Sequence, residues 1–571
     1  MSTSTEPRRP VRPARAPGAE AAPDVHTEFV QRLHDDLVNR RVSSGIEYLE
    51  THRDVLDRLD GSSPGAAACL SMLARWVDTG YGSPEQVRLL LDRFPASLRP
   101  KLPLWDYLQI RLAEAFVAMS DEKQDEAVNH LDFILAAGDG AGDRELLALA
   151  YFWKGRSRRY QADYDEALEC TIRGRELAAE FGYTATAAVM RTLESWLYFQ
   201  KGKYKESMRT LEEAEAVLSK TDDYITLGNI QSAYGRMARR EGRHDAALEH
   251  FNRAIEWYRR RDAQHRNYAR SLANIATVKR MIALQIRRRV DAAVTRRREG
   301  GVRRNPVGVQ TDEVVAEANY RRRFEELRQE SLAHLAEAAE IYRQLRHHRG
   351  TGMTHIDRGG LFLDGGELDQ AGIEAAAAFE LGQERQDYIL MARARILQCM
   401  AEHAKLEEGI EEGSHPGRHA QLAREYAREA VELAKHTQNR WLLARAHTWE
   451  GLTLCLPFFQ AREAASQSAS LASALLKSDD YDYLWDELQA LKAKLLVTGG
   501  LDATLRAWSQ GEVGDKTFRQ IADEFAELII PKVWEREERK IARVASRLSI
   551  SPKKVRRILH KVGLLKDRAE A

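Results

Sequence analysis

No apolar run in the chain approaches the roughly 18 residues that a membrane-crossing helix needs, and the first residues carry no hydrophobic signal core. The expectation is a soluble, cytoplasmic protein with no membrane partner. Cysteine is scarce: Cys69, Cys170, Cys399 and Cys455 are far apart and sit inside apolar helical patterns. They read as buried structural thiols in a reducing compartment rather than as a metal site or a disulfide framework. Proline is rare after residue 105, and no alternating apolar and polar run is bounded by hairpin turns, so strands are not expected. Catalytic signatures are missing too. There is no G-x-x-x-x-G-K-[ST] phosphate loop, no H-E-x-x-H, no G-x-S-x-G and no Cys and His spacing of a zinc site. The chain is therefore expected to be no enzyme and to hold no cofactor and no metal. His347, His348, His355, His415 and His419, near turns and loops, read as solvent-exposed.

What the chain does have is charge in balance, 87 Lys and Arg against 86 Asp and Glu in 571 residues. A net charge of +1 excludes a polybasic nucleic-acid binder of the simple electrostatic kind. Its wealth of Ala, Leu, Glu and Arg suits amphipathic helices. Residues 1–24, rich in Pro, Ala and Arg, read as a disordered tail.

The stretch Leu227 to Tyr258, LGNIQSAYGRMARREGRHDAALEHFNRAIEWY, carries small residues where two packed helices would need them. Gly235 lies midway along its first half, and Ala247, Phe251 and Ala254 fall at i, i+4 and i+7 in its second. Between them Gly242 frees the backbone for a turn, and Asp245 puts a carboxylate in the first turn of the next helix, where the dipole favours it. In the order small residue, turn glycine, alanine, aromatic, alanine, the stretch resembles a tetratricopeptide repeat. That resemblance implies a helical hairpin stacked in an array.

The same signals recur every 40 residues, at Ala127, Ala167, Ser207 and Ala247. Ser331 follows after 84 residues, one repeat plus an insertion of about 44. Ala371 comes 40 later, and Ala423 continues the series after a shorter insertion. Tetratricopeptide repeats most often run to about 34 residues; the longer period implies longer helices and is similar to the arrays of bacterial regulatory proteins.

The expected fold is all-α, a tetratricopeptide-type helical-hairpin solenoid with a small C-terminal three-helix helix-turn-helix domain. Residues 25–103 form a helical N-terminal cap, 104–480 the array of about eight hairpins, 481–513 a helical connector and 514–571 the C-terminal domain. Atypical ends cover the apolar faces of the terminal hairpins. A basic insertion at about 286–325 interrupts the series. Between Ile286 and Arg304 it carries Arg287, Arg288, Arg289, Arg296, Arg297, Arg298, Arg303 and Arg304 against only Asp291 and Glu299. A phosphate-binding arm and a solvated extension of the flanking helices are both compatible with that pattern.

In such arrays the first helices line the concave surface. Arg156 and Arg159, Arg236 and Arg239, then Arg270 and Arg280 fall at equivalent places on three first helices, and the intervening one offers Trp196 and Phe199. Guanidinium groups beside aromatics suit an acidic peptide or protein segment. The alternative is an ordinary amphipathic surface, with the two aromatics in the core.

After Gly514 the repeat disappears. Phe518, Ile521, Phe525, Leu528 and Ile529 share a helix face, Ile541, Ala545 and Leu548 mark a second helix, and Ser551 with Pro552 opens a third that stops at Gly563. The order FAELIIPKVW, VASRLSIS, KKVRRILHKVGL is similar to the DNA-binding module of the Fis family, which also ends the NtrC-type activators. Ser549 stands where that family's turn usually has glycine, and EREER replaces its usual linker. The resemblance implies that the helix opened by Ser551 enters the major groove. Lys553, Lys554, Arg556, Arg557 and Lys561 would then face DNA, with Arg543 and Arg547 on the preceding helix, while Val555, Ile558 and Leu559 hold the helix in place. It also implies a homodimer through Phe518, Ile521, Phe525 and Leu528. Independently, Arg539 to Lys566 holds ten Lys or Arg residues and no Asp or Glu. Base reading would fall to Arg556 or Arg557.

Together these features point to a sequence-specific DNA-binding transcriptional regulator whose array senses a protein or peptide partner. A protein-interaction scaffold with a basic tail that binds nucleic acid non-specifically, or an acidic partner, is the alternative.

Overall fold

The good helix formers that dominate the composition form helices throughout: every regular element among the described residues is helical. The structure, a computed structural model, describes residues 25–141, 144–299, 307–412, 416–459, 461–476, 483–497, 515–562 and 564–565. The chain divides into two compact units, Met1–Leu488 and Gln489–Ala571. No helix among the described residues is long and apolar enough to cross a membrane.

The N-terminal part is five short helices, α1 Val25–Val38, α2 Val42–Thr51, α3 Arg53–Asp57, α4 Ala66–Asp78 and α5 Pro84–Leu91. Hairpins follow. They pair α6 Leu104–Ser120 with α7 Gln124–Ala141, α8 Arg144–Tyr160 with α9 Tyr164–Glu180, α10 Thr184–Gln200 with α11 Tyr204–Leu218, and α12 Tyr224–Arg240 with α13 His244–Arg261. They continue with α14 Arg266–Glu299 and α15 Val307–Gln344, α16 His348–Asp364 and α17 Leu368–Glu384, α18 Tyr388–Glu412 and α19 Pro416–Lys435, and α20 Arg440–Leu454 and α21 Arg462–Leu475. α22, Tyr483–Val497, comes next, and three helices close the chain: α23 Phe518–Arg536, α24 Ile541–Arg547 and α25 Pro552–Lys561.

The 40-residue interval is a packing register. Ala127, Ala167, Ser207, Ala247, Ser331, Ala371 and Ala423 all fall on second helices, and each is fully buried at 0% exposure. On α8, α10 and α12 the facing residue is also small. A Cβ on Gly155 would sit 2.6 Å from Thr171 Oγ1 and 3.0 Å from the Ala167 carbonyl, and one on Gly235 would meet the Phe251 ring at 2.8 Å. Ser195 and Ser207 each donate a hydroxyl to the other's carbonyl, at 2.8 and 2.7 Å. The turns keep the same interval: Glu122, Ala162, Gly202 and Gly242 are all left-handed, with φ of 59°, 66°, 67° and 72°.

The insertion lengthens two helices instead of adding a new element. α14 and α15 run 34 and 38 residues and pack along each other, where α8 and α9 have 17 each. Near its base Arg287 donates to the Asp364 carbonyl at 2.9 Å, and Arg288 pairs with Asp486. The side chains of Arg289, Arg296, Arg297 and Arg298, and residues Arg303 and Arg304 altogether, lie outside what the structure describes.

The N-terminal helices seat on the array. Asp222 accepts from the first amides of α2, Val42 N at 2.6 Å and Ser43 N at 2.8 Å, an anion at a helix N-terminus. Glu145 of α8 meets His34 at 2.5 Å and Arg75 at 3.5 Å. Against the cost of burial, the His34 hydrogen bond and Arg75 hold the Glu145 carboxyl down at about 2.

Hairpins far apart in sequence also touch. Gln438 donates its backbone N–H to the Ala162 carbonyl at 3.1 Å, and its side-chain Oε1 accepts from Asp165 N at 2.9 Å. Trp441 packs on Phe199 at 5.2 Å between ring centroids, with the Arg240 guanidinium 4.0 Å from its ring centre. Arg349 stacks 3.5 Å over Tyr160, and its backbone N–H reaches Glu122 at 3.3 Å.

Candidate functional site

Two regions gather the residues singled out in the sequence: the inner face of the array, lined by first helices, and the C-terminal three-helix unit. On the inner face the arginines have different fates. Arg156 is paired: its guanidinium donates to both Asp78 oxygens, at 2.7 and 2.5 Å, while Trp153 Nε1 adds a third bond at 3.2 Å. Asp78 ends α4, so a carboxylate of the N-terminal helices already sits on this face. Arg280 is paired as well, with both oxygens of Asp364 at 2.5 and 3.0 Å. These two positions are held internally.

Arg159, Arg236 and Arg270 are half-buried and form no ion pair among the described residues. Arg159 lies 5.1 Å over the Trp196 ring. Among the described residues Arg236 donates to Ser232 Oγ at 3.0 Å, one turn back on its own helix. Arg270 reaches Asn229 Oδ1 at 3.3 Å and leaves its buried Nε without an acceptor. Arg239 donates to Asn274 Oδ1 at 3.4 Å. Burial, then the charges of Arg270, Arg156, Arg266 and Arg349, push Arg159 down to about 9. Burial together with Arg270 and Arg239 does the same to Arg236, also to about 9. Trp196 is half-buried and within reach of the face, whereas Phe199 is buried against Tyr204 and Trp441.

Sequence reasoning missed Arg266 and Arg349. Both act on Arg159, yet one sits at the first position of α14 and the other at the second of α16, away from the places on the first helices from which the inner face was read. Arg349 is tied to Asp387, whose carboxylate also caps Leu390 N at 3.1 Å.

The histidines are not the exposed groups the sequence suggests. His347 caps α16, its Nδ1 accepting from Gly350 N at 2.9 Å, and burial beside Arg266 and Arg349 pushes it down to about 3. His355 and His419 meet Glu374 and Glu402, each at 2.6 Å, and His348 lies 2.9 Å from Arg385. A glutamate on the neighbouring helix draws in His355 and His419. His415 lies outside the described residues.

In the C-terminal unit, Thr517 and Gln520 form a capping box that starts α23. Ile530 and Trp534 of that helix meet Val544 and Ala545 of α24 and Val555, Ile558 and Leu559 of α25 in one small core. The EREER linker turns through two left-handed residues, Glu538 at φ 53° and Arg539 at φ 60°. Ser549 adopts φ 50° where glycine would be easier, and Ile550 N closes the turn onto the Ala545 carbonyl at 3.0 Å. Ser551 Oγ then accepts from Lys554 N at 3.2 Å, and Pro552 occupies the first helical position. Gly563 lies outside the described residues.

Of the basic side chains, Lys553 and Arg556 are exposed and Lys554 half-buried, none with an ion pair among the described residues. Arg557 is exposed and 3.9 Å from Asp523. Arg543 pairs with Glu538 at 3.1 Å, Arg547 with Glu537 and Lys561 with Glu527. On α23, Phe518 and Phe525 are 85% and 48% exposed and Ile521 and Leu528 half-buried, an apolar face that no other described residue covers.

Among solved structures, the chain is similar to the apo form of the quorum sensor NprR from B. thuringiensis, with 13% identity over 79% of this chain and 98% of that one and a TM-score of 0.36. It is similar to a Rap protein complexed with competence and sporulation factor, with 10% identity over 78% and 99% of the two chains and a TM-score of 0.40. It is also similar to the human IFIT1 dimer with m7Gppp-AAAA, with 12% identity over 80% and 96% and a TM-score of 0.41. At identities and scores this low, none of the three bears on what the chain does. No curated protein matches it. Residues 226–284, which cover most of α12, α13 and the first half of α14, match the tetratricopeptide repeat family, over the hairpin from which the 40-residue register was read.

Proposed function

We propose that the chain is a sequence-specific DNA-binding transcriptional regulator, in which the array receives a protein or peptide partner and the C-terminal unit binds DNA as a homodimer. The observation that carries the reading is the division of labour on α25. Val555, Ile558 and Leu559 are buried, while Lys553, Arg556 and Arg557 stand exposed on the other side of a helix whose start is fixed by Ser551 and Pro552. A short helix held by its apolar stripe and bare of acidic residues is shaped to lie in a major groove. Exposed lysines neutralise phosphates, and an arginine donates to guanine N7 and O6. The exposed face of Phe518 and Phe525 supports pairing of two copies, which would read a two-fold site.

Selection of sites from random duplex DNA at physiological salt, with the full chain and with a version ending at Val513, tests this. An enriched inverted repeat that vanishes on truncation is the expected result. Uniform, salt-sensitive binding to all sequences would replace it with the scaffold reading.

A further inference from the structure

The basic side chains of the C-terminal unit fall into two sets. Lys553, Lys554 and Arg556, in the first half of α25, have no ion pair among the described residues. The rest, from Lys540 to Lys561, are each held by a carboxylate of α23 or of the EREER linker. Glu538 meets Lys540 at 2.6 Å and Arg543 at 3.1 Å, and Glu537 pairs with Arg547. Asp523 lies 3.9 Å from Arg557, and Glu527 pairs with Lys561. Asp523 and Glu527 are four residues apart on α23, as Arg557 and Lys561 are on α25, so the two pairs stand as neighbouring rungs between the helices.

The fold has little need of these pairs. The core of Ile530, Trp534, Val544, Val555, Ile558 and Leu559 already joins the three helices, and ion pairs this exposed add little to it. Glu538 also carries backbone strain: at φ 53° a glycine would sit more easily, but it would bring no carboxylate.

We propose that Asp523, Glu527, Glu537 and Glu538 stand in for phosphates. They occupy basic side chains that would otherwise grip any nucleic-acid backbone, and so set how far the tail prefers its own site over random DNA. The proposal rests on the reading of the tail as a DNA binder and names what limits it. A carboxylate oxygen at hydrogen-bond distance gives a guanidinium or ammonium much of what a phosphate oxygen would. Sequence-independent affinity grows with the number of phosphates neutralised, so each held side chain is withheld from it until DNA displaces the carboxylate. On a specific site, base contacts from the unpaired first half of α25 fix the register. On random DNA nothing fixes it, and the unit settles wherever the most basic side chains reach phosphates. The masks therefore weaken random binding more than specific binding.

Fluorescence anisotropy of the full chain, with a random-sequence duplex and with the selected site between about 50 and 200 mM salt, tests this. The triple variant Glu527→Gln, Glu537→Gln, Glu538→Gln is expected to bind the random duplex about tenfold tighter, with a salt slope steeper by about two, and the selected site no more than about threefold tighter. Glu538→Gln alone, at a side chain 64% exposed, is expected to gain about threefold on the random duplex and serves if the triple variant fails to fold. Glu524→Gln makes the same change of charge on α23, where its partner is Lys516 at 2.7 Å, and is expected to leave both affinities as they were. An unchanged random affinity, an equal gain on both duplexes, or the same gain from Glu524→Gln overturns the proposal while a site selected by the unaltered chain keeps the DNA reading. Should the selection yield no site, the random-duplex affinities and their salt slopes decide the masking alone. If neither the chain nor the triple variant binds any duplex, both readings fall.

Discussion

Arginines in the array and arginines in the C-terminal unit are the same chemistry in two solvents. On the array's inner face they are half-buried; each either has a carboxylate fixed on it, as Arg349 has Asp387, or is left among other guanidiniums, as Arg159 is. On α24 and α25 they are exposed, and their ion pairs are reached by long, mobile side chains: Arg547, 65% exposed, pairs with Glu537. Water makes a charge cheap to display and weak to pair; burial makes it costly to hold and specific about its partner. In the proposed reading, the array would be selective about what it receives, whereas the tail would attract any phosphate backbone and discriminate through a few base contacts.

Asp387→Ala breaks the comparison most severely. It strands the Arg349 charge and removes the cap on Leu390, and is expected to destabilise the array unit by about 3 kcal/mol, measured by urea unfolding. Next, Arg556→Ala is expected to weaken binding to the selected DNA site by about 1 to 3 kcal/mol with no change in melting temperature, while Lys553→Ala weakens specific and random DNA about equally; equal losses from both variants on both DNAs would remove the base-reading role. A third test uses pH. Burial raises the Asp357 carboxyl to about 6 despite Arg393, Arg280 and Arg239 nearby. The folded chain thus keeps a proton there that the unfolded chain releases from about pH 4, so stability falls as pH rises through that interval. Asp357→Asn should flatten the melting-temperature profile between about pH 4 and 6, an effect on the order of 1 kcal/mol given its partial exposure. The smallest effect belongs to the tail: Glu537→Ala, which frees Arg547, should change stability by less than about 0.5 kcal/mol and lower no affinity for DNA.

The repeat was legible because it is local chemistry written periodically. Ala127, Ala167, Ser207 and Ala247 had to be small for two helices to touch, and that need recurs at each hairpin whatever lies around it. Ser551 and Pro552 were legible for the same reason, since a helix start depends on its own few residues. The partners of the inner arginines were not. Asp78 is 78 positions from Arg156, and nothing in either neighbourhood announces the other. Trp196 and Phe199 look alike in sequence, yet only the packing of Trp441 from 242 positions away decides that Phe199 belongs to the core. The insertion was ambiguous because a helix lengthened by 17 residues and a separate arm share one amphipathic pattern.

The contacts of Gln438 with the turn at Ala162, and of Arg349 with Glu122 and Tyr160, change what kind of material the array is. A stack of repeats that meet only their neighbours behaves like a zipper, fraying from either end at a cost set by one interface at a time. Tying the second hairpin to the eighth turns the zipper into a hoop. Such a hoop has no weak end to open, so deleting the last hairpin should loosen the early ones as well. Melting should proceed in one step rather than tooth by tooth.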